Sequence, residues 1–281
     1  MIAICPNPFR DSELKYTRQA AEMLHAAGYE TAVCPVFAED APQMIPEDIK
    51  ATTLDAVRSR CSLVVVIGGD GTILAAARQL HNADIPILCV NLGSKGFMAA
   101  LEPEHIQLIV KAAAGEYTVS RRMMLDIELE RGGEIIYRDK ALNDVVLHGY
   151  GDCIRLTAWC AGDRITSFSG DGIILSTPTG STGYSMSAGG PIVEPEASAI
   201  IVSPICAHMM SARSYVLSAS HDVSVLAEKL HGRRAYISVD GNSVMDLANG
   251  DLLRVRRSER CILMADMGLK SFFDLTFEKL T

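Results

Sequence analysis

A chain of 281 residues, 48% of them hydrophobic and 21% charged, is long and apolar enough for two globular domains, which excludes a disordered chain. The formal net charge is -8, and no cluster of Lys and Arg is larger than a scattered pair, which argues against a nucleic-acid-binding face. No apolar run approaches the length of a membrane span, and none of the 8 Cys lies in a C-x-x-C motif. We therefore expect a cytoplasmic protein with reduced thiols and with neither a membrane nor a nucleic-acid partner.

The first part of the chain alternates between strand and helix patterns. Strands are predicted at residues 2–5, 31–34, 63–67 and 87–90, and helices at residues 11–27, 73–80 and 104–114. Residues 63–67 form an uninterrupted apolar run, which is typical of a strand covered on both faces. This alternation predicts an α/β domain with a parallel, doubly wound sheet.

The pattern changes after about Tyr117, where residues 125–130 alternate between apolar and acidic residues and Gly132-Gly133 follow. This is a hairpin signal. Further strands are predicted at residues 154–159, 173–175, 223–226, 235–239, 252–255 and 261–264. We therefore predict an α/β domain at residues 1–116, a β-rich domain at 117–265, and a C-terminal segment at 266–281 whose amphipathic helix packs back on the first domain.

The first motif that indicates chemistry is Gly68-Gly69-Asp70-Gly71-Thr72, which directly follows the apolar run at 63–67 and precedes a helix pattern. Glycines allow a sharp turn and let main-chain N–H groups approach an anion. Thr72 is predicted to cap the helix, whose positive end then faces the loop. These features predict a phosphate-binding loop.

Asp70 is the unusual member of this loop, because a carboxylate repels a phosphate. It is explained if it binds Mg²⁺ or accepts a proton from an attacking hydroxyl group. The alternative is a tight strand–helix turn in which Asp70 is an exposed capping residue. A P-loop would instead carry a lysine in the motif G-x-x-x-x-G-K-[ST], which does not occur here.

Two shorter motifs follow. The segment Asn91 to Phe97 comes after the next buried strand, where open α/β sheets bind ligands, and its Lys95 either offsets phosphate charge or is a solvated lysine. The pair Asn143-Asp144 suits the capture of two neighbouring hydroxyl groups, as on a ribose. The same dipeptide also commonly marks a turn.

The longest motif is the run of glycines and hydroxyl residues from Gly170 to Pro191. No charged residue occurs between Asp171 and Glu194, and the run includes Tyr184. Small polar groups and one aromatic ring are suited to binding a neutral heterocycle. We therefore favour a binding site over a solvated loop.

Together these motifs resemble those of bacterial-type NAD kinases over nearly the whole chain. The resemblance rests on GGDGT, on Asn91 to Phe97, on Asn143-Asp144, on the Gly170 to Pro191 run, on Cys206 to Ser220 and on the Ser271-Phe272-Phe273 segment. GGDGT alone is shared with diacylglycerol and sphingosine kinases, whereas TPTGSTGYSMSAGGP is much more specific.

The resemblance implies transfer of the γ-phosphoryl group of ATP to the 2′-hydroxyl group of the adenosine ribose of NAD, giving NADP. It implies Mg²⁺ or another divalent metal, NAD and ATP as ligands with polyphosphate as an alternative donor, and a homodimer or homotetramer. Asp70 would activate the hydroxyl group. Substrate would be bound by Gly71, Asn143, Asp144, Asp171, Thr182, Gly183, Tyr184 and Ser187, and phosphate by Gly68, Gly69, Gly71, Thr72 and Lys95.

The chain departs from the family pattern at three positions. Asp144 stands where the family usually has Glu, Gly183 where it usually has Ala, and Lys95 where it usually has another residue. Two other functions remain open on the residues alone. A lipid kinase is suggested by GGDGT, and a non-catalytic dinucleotide-binding protein is suggested by Asp144.

Overall fold

A computed structural model of the chain describes residues 1–37, 42–80, 84–93, 96–98, 101–208 and 212–280. The chain divides into two compact units, Met1–Arg122 with Ile262–Thr281, and Met123–Cys261. The last residues of the chain therefore belong to the unit formed by its beginning. Within the described residues, no helix is both long and apolar enough to cross a membrane.

The sheet of the first unit is parallel. Its strands are β1 (Ile2–Pro6), β2 (Thr31–Val33), β3 (Leu63–Gly68) and β4 (Ile87–Asn91), in the order β2-β1-β3-β4. All residues of β1, β3 and β4 are buried, as expected for strands covered on both faces. The predicted α/β domain with a parallel sheet is confirmed.

The α-helices vary widely in length. They are α1 (Lys15–Ala26), α2 (Leu54–Val57), α3 (Asp70–Leu80), α4 (Ile109–Ala113), α5 (Tyr184–Ser187) and α6 (Phe272–Leu280). All but α5 belong to the first unit. Leu24 from α1 and Ile109 from α4 are fully buried with Ile4 and Val65 of the sheet, and they form the core of this unit.

The second unit is built from antiparallel strands. They are β5 (Thr118–Arg131), β6 (Glu134–Ala141), β7 (Asp144–Gly149), β8 (Ile154–Cys160), β9 (Asp163–Gly170), β10 (Gly172–Ser176), β11 (Ala199–Ile205), β12 (Tyr215–Ser218), β13 (Val223–Glu228), β14 (Ala235–Val239), β15 (Asn242–Leu247) and β16 (Leu252–Asp266). The first residues of β5 and the last residues of β16 lie in the first unit, where Met264 pairs in parallel with Ile87.

Two groups of strands share the core of the second unit. One sheet has the order β12-β11-β10-β7-β14-β15, and the other group runs β16-β13-β8-β9, with β5 and β6 as a hairpin. Apolar side chains from both groups, among them Leu147, Leu156, Phe168 and Ile173, are fully buried in one cluster. This is the arrangement of a β-sandwich, and it confirms the predicted β-rich domain.

Candidate functional site

The GGDGT loop joins β3 to α3 at the carboxyl end of the parallel sheet. Helix α3 begins at Asp70, and the carbonyl oxygen of Gly69 accepts the N–H groups of Thr72 (2.8 Å) and Ile73 (3.1 Å). The prediction that Thr72 caps the helix is therefore wrong, because Thr72 lies inside the first turn. Its buried hydroxyl group instead accepts the N–H group of Gly69 at 3.3 Å.

The glycines of this loop are explained by space. Among the described residues, the glycines with positive φ do not include Gly68, Gly69 or Gly71. A Cβ atom on Gly68 would lie 2.3 Å from Thr72 Oγ1, whereas one on Gly71 would meet nothing within 4 Å. Gly68 thus permits close packing, and Gly71 leaves bare backbone open to a ligand.

The carboxylate of Asp70 is held by the backbone of the segment that follows β4. It accepts the N–H group of Phe97 at 2.9 Å and that of Met98 at 3.3 Å. Burial raises the pKa of Asp70, and these two bonds and the nearby charge of Lys279 oppose that rise. A Cβ atom on Gly96 would lie 2.7 Å from Asp70 Oδ1, so Gly96 makes room for the carboxylate.

A cavity of about 440 Å³ opens over this loop. It is lined by Asn7, Arg10, Phe37, Gly69, Asp70, Gly71, Thr72, Gly93 and Gly96. The structure therefore brings four of the predicted loop residues together around one cavity. Gly68, the fifth, lies beneath them as the buried last residue of β3.

Sequence reasoning missed Asn7, Arg10 and Phe37. The Asn7 side chain donates a hydrogen bond from Nδ2 to Thr72 Oγ1 at 3.1 Å, which ties the turn after β1 to the GGDGT loop. Arg10 follows in the same turn, where its N–H group donates to the carbonyl oxygen of Asn7 at 3.0 Å. An Asn-Pro pair directly after a buried strand was the available signal for such a turn.

The predicted Asn91 to Phe97 segment reaches the same cavity only in part. Asn91 Oδ1 accepts the N–H group of Gly93 at 3.0 Å, and its Nδ2 lies 3.3 Å from both carboxylate oxygens of Glu102. Asn91 is therefore a structural anchor of this loop. Lys95, predicted to bind phosphate, and its neighbour Ser94 lie outside the described residues.

A second cation near the loop comes from the other end of the chain. Lys279 of α6 donates a hydrogen bond to the carbonyl oxygen of Gly96, and its ammonium group lies 5.9 Å from the centre of the Phe97 ring. Phe97 and Gly96 flank the carboxylate of Asp70. Helix α6 therefore contributes positive charge to the surroundings of Asp70.

In the second unit, Asn143 and Asp144 lie at the turn into β7, against the start of the long glycine-rich run. The carbonyl oxygen of Asn143 accepts the N–H group of Thr177 at 2.8 Å. A Cβ atom on Gly180 would lie 2.2 Å from that carbonyl oxygen, so only glycine fits there. The Oδ1 atom of Asn143 is buried and has no hydrogen-bond partner, as expected for an acceptor that a ligand satisfies.

Asp144 is 6% exposed. Burial, and then the nearby charge of Asp240, raise the pKa of Asp144 to about 7. A carboxyl group with such a pKa changes its hydrogen-bonding character near neutral pH, from donor and acceptor to acceptor only. Perturbed carboxyl groups of this kind cluster at functional sites.

The Gly170 to Pro191 run is folded and largely internal. Thr177, Thr179, Ser181 and Ser185 are buried. Ser181 Oγ accepts the N–H group of Val193 at 3.0 Å and donates to its carbonyl oxygen at 3.2 Å. Part of the hydroxyl content predicted to face a heterocycle is therefore used to hold the segment in shape.

The remaining predicted residues of this run lie nearer the surface. Asp171, Tyr184 and Ser187 are exposed, and Thr182 and Gly183 are partly buried. Thr182 Oγ1 donates to the carbonyl oxygen of Thr179 at 3.2 Å. A Cβ atom on Gly183 would lie 3.7 Å from Asn143 Nδ2, so the run and the Asn143-Asp144 pair are neighbours.

Tyr184 does not stand alone. Its ring stacks on the His148 ring with centres 5.4 Å apart, and His148 stacks on Tyr236 at 5.1 Å. Both partners lie on adjacent strands, where His148 of β7 pairs with Tyr236 of β14. Sequence reasoning missed them, because a pairing of distant strands is not visible in local spacing.

Among the described residues, no group of three or more His, Cys, Asp or Glu side chains is arranged to hold a metal ion. One carboxylate, Asp70, lies at the cavity over the loop. Mg²⁺ commonly binds through one or two carboxylates together with the phosphates of a nucleotide. The residues present therefore fit a divalent metal that arrives with its nucleotide.

The chain matches sequence profiles of one family along nearly its whole length. Residues 2–117 match the ATP-NAD kinase N-terminal domain and residues 120–266 match the ATP-NAD kinase C-terminal domain. The chain is 36% identical to the NAD kinase of Acetivibrio thermocellus over 277 residues, which cover 98% of this chain and 94% of that protein. It is 33% identical to the NAD kinase of Ruminiclostridium cellulolyticum over 282 residues, which cover 99% and 97%.

Two solved structures share the fold. Yeast NADH kinase complexed with NADH superposes with a TM-score of 0.82 at 27% identity, covering 97% of this chain and 84% of that one. An NAD kinase from Archaeoglobus fulgidus in complex with ATP superposes with a TM-score of 0.75 at 24% identity, covering 100% and 98%. The first is a relative by sequence as well as by fold, and the second is a match of fold.

Proposed function

The chain belongs to the NAD kinase family, and on that premise we propose that it transfers the γ-phosphoryl group of ATP to the 2′-hydroxyl group of the adenosine ribose of NAD, producing NADP. The observation that carries this proposal is a carboxylate, Asp70, on a cavity whose floor is bare glycine backbone at the start of a helix. A polyanion binds there only if the carboxylate handles a proton or a metal.

Asp70 is the proposed general base. A bond forms between the ribose 2′-oxygen and the γ-phosphorus, while the bond from that phosphorus to the β–γ bridging oxygen breaks and its electron pair leaves with ADP. The hydroxyl proton passes to the Asp70 carboxylate. Burial raises the pKa of Asp70, which makes it a better proton acceptor than an exposed aspartate.

The N–H groups of the loop and the positive end of the eleven-residue helix α3 are the proposed phosphate ligands. The sequence predicts Gly68, Gly69, Gly71 and Thr72 for this role. Gly68 lies beneath the cavity and the N–H groups of Gly69 and Thr72 are bonded within the loop, so Gly71 is the member whose open backbone best supports phosphate binding. Arg10, which lines the same cavity, adds a full positive charge. Lys95 remains a proposed phosphate ligand from its sequence alone.

Asp70, together with the phosphates of the nucleotide, would hold Mg²⁺ or another divalent metal. When bound, such an ion neutralises charge that develops on the transferred group. The chain's own residues position the phosphates and accept the proton.

The second unit holds the proposed dinucleotide residues. Asn143 and Asp144 accept hydrogen bonds from ribose hydroxyl groups, and the unpartnered Oδ1 atom of Asn143 supports this role. The polar groups and ring at the base pockets are assigned to Asp171, Thr182, Gly183, Tyr184 and Ser187, of which Tyr184 already stacks on His148.

The decisive experiment replaces Asp70 by Asn, which preserves its shape and removes its charge. Incubation of the purified wild-type protein with ATP, Mg²⁺ and NAD should yield NADP. We expect Asp70→Asn to lower kcat at least about a hundredfold, as loss of a general base does, while NAD still binds in calorimetry. Asp84→Asn, at an exposed position of the same unit, is the matched control.

Three outcomes would point elsewhere. Absence of NADP from the wild-type protein with either ATP or polyphosphate would count against a kinase acting on NAD. Tight NAD binding without turnover would favour the non-catalytic alternative. Turnover of a lipid in its place would favour the lipid-kinase alternative.

The range of substrates and the assembly follow from the same premise. We infer that ATP is a donor and that polyphosphate is an alternative, and the assay in all pairings with NAD and NADH measures each preference. We also infer a homodimer or homotetramer, which light scattering coupled to gel filtration measures. A monomer at assay concentration would contradict that assembly.

A further inference from the structure

The turn between β14 and β15 contains an aspartate in an unusual backbone conformation. Val239 pairs with Asn242, which leaves Asp240 and Gly241 as a two-residue hairpin loop. Their φ angles are 47° and 81°. Both values are those of a type I′ turn, in which Asp-Gly and Asn-Gly are favoured because other side chains are strained.

The carboxylate of Asp240 points at the Asn143-Asp144 pair. It accepts the N–H groups of three consecutive residues, Leu142 at 2.9 Å, Asn143 at 2.7 Å and Asp144 at 3.1 Å. In return, the N–H group of Asp240 donates to the carbonyl oxygen of Asp144 at 3.0 Å. Hydrogen bonds to an ionised acceptor are roughly twice as strong as neutral ones, so this contact is a firm anchor.

The same three residues are also held by the glycine-rich run, where Asp144 pairs with Ser176 and Thr177 bonds the other two. Thr177 Oγ1 donates to the carbonyl oxygen of Leu142 at 2.6 Å. The N–H group of Thr177 donates to the carbonyl oxygen of Asn143 at 2.8 Å. The backbone of Leu142 to Asp144 is therefore held by both segments. The Asn143 Oδ1 atom stays buried without a partner, which is the feature of a group arranged for a ligand.

We propose that Asp240 is a positioning residue, which holds Asn143 and Asp144 in the geometry that binds the ribose hydroxyl groups of the dinucleotide. The proposal rests on the proposed function, because it assigns Asp240 to the acceptor site of that reaction. In this role Asp240 acts through the backbone of its three partners.

Besides its hydrogen bonds, the carboxylate of Asp240 interacts electrostatically with nearby carboxyl groups. This interaction can be measured through the pH dependence of substrate binding. The charged groups that face Asp240 are Asp144 at the start of β7 and Asp139 on β6. Burial raises the pKa of Asp240, its three backbone bonds oppose that rise, and Asp139 adds to it. The charge of Asp240 in turn adds to the raised pKa of Asp144.

The test is Asp240→Asn, which keeps a residue suited to the type I′ turn. An amide has one oxygen and one nitrogen, so at least one of the three N–H groups loses its acceptor, and the negative charge is removed. We expect KM for NAD to rise about tenfold, a loss of the size of one charged hydrogen bond, with KM for ATP unchanged. The midpoint of the pH dependence of KM for NAD should move to lower pH, because Asp144 loses its like-charged neighbour.

The matched control is Asp163→Asn. Asp163 is exposed and follows another two-residue turn with positive φ, Ala161-Gly162. We expect it to change neither KM nor the pH midpoint. If circular dichroism shows that Asp240→Asn does not fold, Asp240→Glu is the variant that tests the proposal. The glutamate retains the negative charge and displaces the carboxylate. It should raise KM for NAD and leave the pH midpoint near its wild-type position.

The proposal is overturned if the variant melts at a lower temperature with KM for NAD and its pH midpoint unchanged, because Asp240 then only stabilises the fold. Equal increases in KM for NAD and ATP would overturn it as well. Calorimetric binding of NAD separates this inference from the proposed function. Weaker NAD binding by Asp240→Asn supports the positioning role even if the wild-type protein forms no NADP.

Discussion

At the scale of the residue, the buried carboxyl group of Asp144 carries an electrostatic cost whenever it ionises. Water is largely excluded, and the like charge of Asp240 faces it, so its pKa is raised to about 7. A ribose hydroxyl group that donates a hydrogen bond prefers the ionised form, because a protonated carboxyl group offers one acceptor fewer. If Asp144 binds the ribose as proposed, binding of the dinucleotide and release of a proton are linked at this residue.

This linkage predicts the pH dependence of substrate binding. We expect KM for NAD to fall as pH rises through about 7, because Asp144 becomes a pure acceptor. Asp144→Asn should make KM for NAD higher and nearly independent of pH between pH 6 and about 8. Steady-state kinetics across this range measures both effects, and an unchanged slope in the variant would contradict the assignment.

The same residue affects stability with a defined sign. Its pKa in the folded protein is higher than in the unfolded chain, so its contribution to stability is fully present below about pH 4 and is lost as pH rises towards about 7. The loss is at most about 4 kcal/mol. The variant Asp144→Asn does not ionise at this position. The stability of the variant relative to the wild-type protein, measured by urea denaturation, should therefore be greater at pH 8 than at pH 5.

At the scale of the element, the junction of β3 and α3 depends on close packing at one glycine. Gly68→Ala would place a Cβ atom 2.3 Å from Thr72 Oγ1, which also holds Asn7 and Gly69. We expect a loss of about 1–3 kcal/mol in unfolding free energy and a higher KM for ATP. Gly71→Ala has open space, and its thermal midpoint should stay near that of the wild-type protein. Equal destabilisation by both changes would contradict this account.

Most elements with a strong local signal were predicted, but strands β7 and β11 were missed although residues 145–147 and 199–202 are apolar runs. Apolar runs gave β1, β3 and β4, and the Gly132-Gly133 turn gave the β5–β6 hairpin, with φ angles of 62° and 89° at the two glycines. Helix α6 begins just after Ser271, whose Oγ accepts the N–H group of Asp274 at 3.1 Å, which is a capping signal visible in the sequence.

Other elements had no such signal. Strand β9 is mostly polar and half exposed, and β12 and β15 lie at the edges of their sheet, so none shows a buried apolar run. The two strands predicted at 252–255 and 261–264 are one strand, β16, whose middle is polar and therefore interrupts the apolar pattern. Asp240 was missed at the site, since its partners lie about a hundred residues earlier in the chain.

At the scale of the whole molecule, each unit has its own core and its own part of the proposed site. The first unit carries the GGDGT loop and the second carries the Asn143-Asp144 pair. The change from alternating to β-rich patterns predicted two fold types along the chain. The sequence also predicts that the helix at 266–281 packs back on the first domain, whereas the pairing of Met264 with Ile87, which brings the end of β16 into the first unit, has no signal in local spacing.

Hydrogen exchange should separate the two parts. With ATP and Mg²⁺, we expect slower amide exchange in the loop at residues 69–72 of the first unit. With NAD, we expect slower exchange at residues 177–184 of the second unit, where the backbone contacts Asn143. Mass spectrometry of peptides measures both, and helix α1 is the internal control. If either ligand slowed amide exchange equally in both units, the assignment of ATP to the first unit and of NAD to the second would be contradicted.

The unsatisfied Oδ1 atom of Asn143 is also an opening for inhibitor discovery. A buried acceptor left without a donor costs about 1–3 kcal/mol, so a small compound that presents an N–H or O–H group there recovers that cost on binding. Thr177 and Asp240 hydrogen-bond the neighbouring backbone and Gly180 packs against it, so the backbone around this atom is held in place before a compound binds. Fragment screens directed at this single atom therefore start from a backbone that is already held by hydrogen bonds.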